Sequence, residues 1–163
     1  MRLVWKGVLA VSFLVGAAQG VYAKCGDNPG DAAAVLAARE AAASTCNCAT
    51  STNHGDYVKC VKGVANDRAS QNPSLLPKNC KGQVVKCAAK SVCGKTGFVT
   101  CCITKNAVTK CKTKKDAMHC TDKQGVVGSC DSCCDACPAP GSGPSCPAAT
   151  TTTSTLTPPT TLP

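Results

Sequence analysis

The chain has 163 residues, with 16 cysteines, 18 basic and nine acidic residues, and only 3% aromatics. This composition argues against a multi-domain protein and against a core built on large side chains. It argues equally against a cytosolic enzyme, because cysteine at this density belongs to an oxidising compartment.

Residues 1–23 read as a signal peptide. Arg2 and Lys6 supply a positive start, Val8 to Ala18 an apolar run, and Val21 and Ala23 the two positions a signal peptidase reads. The run falls short of the ~20 residues a membrane span needs, and Lys24 stands where a lipoprotein signal wants Gly or Ala. Cleavage after Ala23 would leave 140 residues carrying 16 basic and nine acidic groups, net +7, with Tyr57 and Phe98 as the remaining aromatics. The processed chain is expected outside the cytoplasm, secreted or periplasmic, with no transmembrane segment.

The expected fold class is α+β: a small disulfide-rich domain over residues 24–137 with about three short helices and one β-hairpin. Asp31 reads as the N-cap of an alanine-rich helix to about Thr45, with Ala32, Val35, Leu36, Ala43 and Cys46 along one side. Asn53 reads as the cap of a second helix to about Ser70, with Asp56 in its first turn. Tyr57, Cys60, Val61, Val64 and Ala65 make its inward stripe. A third helix is expected from about Asn79 to Val92, burying Cys80, Val84 and Cys87 and stopped by Gly94.

Two β-branched runs follow, Phe98–Thr104 and Val108–Thr113, joined by a short turn at 105–107. A three-residue loop would group Val99, Cys101 and Ile103 with Cys111; a two-residue loop would put Cys102 there. The first register is preferred because it keeps the face of Lys110, Lys112 and Lys114 polar. Either register sends Cys101 and Cys102 to opposite faces and to different partners. Beyond the hairpin, one helical turn is expected near Asp116–His119, and Cys130, Cys133, Cys134 and Cys137 form a compact knot. Residues 138–163 read as a disordered tail: a Pro/Gly-rich stretch containing Cys146, then 17 residues from Pro147 with eight Thr and four Pro.

The cysteines are Cys25, Cys46, Cys48, Cys60, Cys80, Cys87, Cys93, Cys101, Cys102, Cys111, Cys120, Cys130, Cys133, Cys134, Cys137 and Cys146. An even count in an exported chain points to a disulfide framework, although roughly two million pairings are open to sixteen cysteines. A typical bridge contributes ~2–4 kcal/mol, so even part of this set can replace the missing aromatic core. A metallothionein-like reading is the alternative, since Cys46-Asn-Cys48, Cys101-Cys102 and the Cys130–Cys137 cluster have thiolate-metal spacing. Export favours disulfides, so no metal and no cofactor is expected.

Charge is segregated along the chain. Residues 24–77 balance five basic against five acidic groups. Residues 78–115 hold ten lysines and no acid, and residues 116–163 hold Lys123 against four aspartates. Lys81, Lys86 and Lys90 on the third helix and Lys110, Lys112 and Lys114 on the hairpin are the candidate residues for attracting a polyanion, such as an anionic cell-surface polymer. The segment lacks arginine, so bidentate phosphate recognition is not expected, and it lacks aromatic platforms, so specific nucleic-acid binding is not expected.

No catalytic residue set is apparent, and the chain is not expected to be an enzyme. His54 and His119 are the only histidines and Glu40 the only glutamate. A small secreted enzyme using either histidine, with His54 and Asp56 as one candidate pair, is the remaining alternative. Gly94-Lys95-Thr96 matches the end of a phosphate loop, but a helix precedes it where a strand is required.

Three stretches carry a resemblance: Asn53-His54-Gly55-Asp56-Tyr57-Val58, Gly94 through Cys102, and Ser132-Cys133-Cys134-Asp135-Ala136-Cys137. With them the chain resembles a family of uncharacterised secreted cysteine-rich bacterial proteins, which also carry a Thr/Pro tail. The resemblance implies bacterial export and assigns no activity and no functional residue.

Overall fold

The computed structural model describes residues 23–137 and Cys146. The expected signal peptide over residues 1–23, save Ala23, and the expected tail over 138–163, save Cys146, lie outside the described residues. The α+β, disulfide-rich architecture holds, with four helices and a three-stranded antiparallel sheet among the described residues.

Helix α1 spans Asp31–Thr45 and α2 spans His54–Ser70. A short 3-10 turn at Lys78–Cys80 leads into α3, Lys81–Ala89. The three helices pack around Ala38, Ala42, Val61, Ala65, Ala69, Leu76 and Val84, all at most 4% exposed. Alanine dominates this core, so the helices approach closely without large side chains. The inward stripe of α1 is Ala38, Ala42 and Cys46, while Leu36, expected inward, is 45% exposed and Ala32 also faces solvent. On α2 the expected stripe is correct, with Val61 and Ala65 buried and Tyr57, Cys60 and Val64 half-buried.

The two caps diverge. Asn53 caps α2 as expected, its side-chain oxygen accepting from Gly55 N–H at 2.7 Å and Asp56 N–H at 3.2 Å. At α1 the N-cap is Gly30, with φ +95°, not Asp31. Asp31 is the first helical residue and is buried, and its carboxylate accepts from Gly26 N–H at 2.9 Å and Asn28 N–H at 3.4 Å. It therefore closes the N-terminal loop over the positive end of α1.

Helix α3 ends three residues earlier than its composition suggests. The backbone beyond it is used elsewhere: Ser91 bridges to Ser132, Val92 N–H donates to Asp131 O, and Cys133 N–H donates to Lys90 O. Gly94 lies past this junction at φ +70°, and a Cβ there would fall on the backbone of Asn53 and His54.

Strand β1, Val99–Lys105, pairs with β2, Val108–Lys114, and with β3, Gly125–Val127, in the order β2-β1-β3. The hairpin loop has two residues, Asn106 and Ala107, at φ 51° and 61°. The preferred three-residue register is thus overturned, and Cys102 stands opposite Cys111. Cys102 and Cys111 share one face and bond Cys137 and Cys133 in the knot. Cys101 points to the other face and bonds Cys120 in α4, Ala117–Thr121. Lys110, Lys112 and Lys114 consequently share their face with Ile103, Cys101 and Val99 instead of forming a wholly polar one.

All sixteen cysteines are paired. Cys25–Cys80, Cys46–Cys60 and Cys48–Cys93 staple the helical half. Cys87–Cys134 joins α3 to the knot, and Cys130–Cys146 ties Cys146 to it. A half-buried ion pair between Arg39 and Asp135 fastens α1 to the same segment.

Candidate functional site

The lysine face of the hairpin becomes one wall of a cleft. Period-two alternation places Lys110, Lys112 and Lys114 side by side on β2, each ~6.6–6.8 Å from the next along the strand. Lys105 is carried onto the same face by its pairing with Val108. The opposite wall comes from the segment after α4, which contributes Asp122, Lys123 and Gln124. The cleft encloses about 750 Å³, floored in part by Ile103 and Val108.

Its electrostatics are one-sided. Five lysines face one carboxylate, Asp122. Among the described residues the ion pairs are Arg39–Asp135 and Asp116–His119, so no lysine ammonium is neutralised by a carboxylate within 4.0 Å. Adjacent lysines about 7 Å apart repel by ~0.6 kcal/mol even in bulk water. An anion in the cleft would relieve that repulsion.

The other three candidates lie elsewhere. Lys81, Lys86 and Lys90 sit on or just after α3, which packs against α1 and α2, and none of them lines the cleft. The Lys81 ammonium donates to Asn66 Oδ1 at 3.2 Å. The six lysines chosen from charge alone therefore divide into a clustered set and a set on the helical half. Two cleft lysines were missed. Lys105 was assigned to the turn, although the alternation of the first strand extends to it. Lys123 lies in the acidic segment, which the Cys101–Cys120 bridge and the pairing of β3 with β1 bring to the sheet.

The histidines are both engaged locally. His54 Nδ1 lies 2.9 Å from Cys93 O and Nε2 lies 3.3 Å from Ala89 O, so its ring links α2 to the end of α3 and not to Asp56. His119 Nδ1 lies 2.9 Å from both Asp116 carboxylate oxygens on an exposed turn. His119 N–H also donates to Asp116, at 2.8 Å, so the aspartate caps α4. These hydrogen bonds hold the Asp116 carboxyl below its ordinary value, led by the backbone bond from His119.

Two groups have sulfur and carboxylate atoms close together, Cys25–Asp31–Cys80 and Cys48–Cys93–Asp131. In each the sulfurs are already bonded to one another. A thiolate centre would first require reduction.

No described helix is long and apolar enough to cross a membrane. Comparison with known proteins finds no matching family model, no matching curated protein and no matching solved structure.

Proposed function

We propose that this chain is an exported, disulfide-stapled binding module whose β2 cleft holds linear polyanions by charge. Eight disulfides support the extracellular part of this reading, since such a framework forms and persists in oxidising compartments. The observation that carries the binding part is the cleft itself: five lysines around about 750 Å³, none in an ion pair among the described residues. Lysine offers point charges without the planar fork of arginine. Recognition is therefore by charge density along a polymer, as on an anionic cell-surface polysaccharide or polyphosphate, with little selectivity for the repeating unit. Salt should screen it over a Debye length of ~8 Å at physiological ionic strength.

Two triple variants of equal charge test the cleft against net charge. Lys110→Gln, Lys112→Gln, Lys114→Gln removes the clustered set, and Lys81→Gln, Lys86→Gln, Lys90→Gln removes the helical set. On an immobilised polyanion the first should elute at clearly lower salt than the second, with the unmodified protein released by ~0.5 M salt. Equal losses from the two triples would mean that retention follows total charge and that the cleft is not a site.

A further inference from the structure

A second cavity, of about 270 Å³, lies where the helices meet the cysteine knot. Its floor is apolar, formed by Ala42, Val61 and Val84. Its polar side carries Arg39, Asp131, Asp135 and the ring of Tyr57. We infer that this cavity binds a small organic monocation, a primary ammonium on a short apolar chain.

The charge balance decides the class of ligand. Arg39 and Asp135 are 14% and 8% exposed at their side chains and are paired with each other, so neither is free for a ligand. Asp131, an exposed residue lining the cavity, is left over. Its backbone is fixed, because its carbonyl accepts from Val92 N–H at 2.8 Å, but its carboxylate pairs with no cation among the described residues. Cys48 Sγ lies 3.4 Å from that carboxylate, and a disulfide sulfur has no proton to donate. In a chain rich in unpaired lysines, this cavity therefore has a net charge of −1.

Tyr57 supplies the second element of recognition. It lies on α2, half-buried, and the negative charge of Asp131 is felt at its hydroxyl: burial first and Asp131 second raise it above its ordinary titration, with Arg39 opposing. A cation beside Asp131 can meet the Tyr57 ring while its apolar chain covers Ala42 and Val84. The cavity lies just below the ~300–1,000 Å³ of drug-sized pockets, which limits the occupant to a few carbons. The Cys48–Cys93 and Cys87–Cys134 bridges fix the surrounding backbone, so the cavity is largely pre-formed.

The experiment is an NMR titration of the full oxidised protein with n-butylammonium, n-butanol and butyrate. Butylammonium should give saturable shifts at the Tyr57 ring and at the Ala42 and Val84 methyls, with butanol at least fivefold weaker and butyrate without effect. Asp131→Asn keeps the side-chain shape and should weaken butylammonium at least fivefold while the rest of the spectrum stays folded. Lys110→Gln, Lys112→Gln, Lys114→Gln should leave it unchanged, which separates this site from the polyanion cleft. Equal binding of butanol, or an Asp131→Asn variant that binds butylammonium like the parent, would overturn the inference.

Discussion

Gly125 shows how tightly single residues are constrained in this chain. A Cβ there would stand 2.5 Å from Cys101 Sγ and 3.0 Å from Cys120 Sγ, so the residue is small because a disulfide occupies the space. Gly125→Ala should destabilise the protein by roughly 1–3 kcal/mol through overpacking, read as a lower thermal midpoint with the disulfides intact. Asp116 sets the acid behaviour of α4. Its folded-state value is depressed below 3.8, so its contribution is fully present above that value and is lost as pH falls through the folded one. Acidification should therefore remove hydrogen-exchange protection at the His119 amide before the alanine core responds. Protection unchanged by Asp116→Ala at neutral pH would deny the cap its role. At this scale the sequence was legible where a side chain serves its own helix, as Asn53 does. It was misleading at Asp31, whose carboxylate turns back to an N-terminal loop and makes Gly30 the cap.

Elements were legible in type more than in register. Helices α1 and α2 run close to the expected bounds because their apolar spacing, and for α2 the Asn72–Pro73 pair beyond its end, are local signals. The face of α1 was misassigned because alanines surround the helix, so the choice between Leu36 and Ala38 depends on how closely α2 approaches. In the hairpin, Cys101 and Cys102 are equally apolar, and the Asn106–Ala107 turn lacks the glycine that signals a two-residue loop. Strand β3 has only three residues, pairs with β1, and follows the helix that the Cys101–Cys120 bridge anchors there. Ala107 holds φ 61°, a left-handed conformation costing an L-residue ~1–2 kcal/mol. Ala107→Gly should accordingly stabilise the hairpin by up to about 1 kcal/mol, measured by denaturant midpoint. A lower midpoint would mean that the turn does not adopt this geometry.

At the scale of the whole molecule, two halves meet at the cysteine knot. The helical half has an alanine core and the sheet half is built on disulfides. The junction is Cys87–Cys134, the Arg39–Asp135 pair, and the bond from the Ser132 hydroxyl to Cys87 O at 2.9 Å. The same partition separates the two lysine sets and leaves the β2 cleft on the sheet half. None of this could be read from spacing, because pairs separated by 14 to 55 residues obey no local rule. The hairpin register, the lysine face and the cleft all follow from which cysteine bonds which. The most direct measurement is a disulfide map of the unreduced protein by sequencing its cross-linked peptides. The account predicts no alkylatable thiol, with Cys101 linked to Cys120, Cys102 to Cys137 and Cys111 to Cys133. Free thiols would contradict the disulfide framework, and Cys101 linked into the knot would contradict the sheet faces that build the cleft.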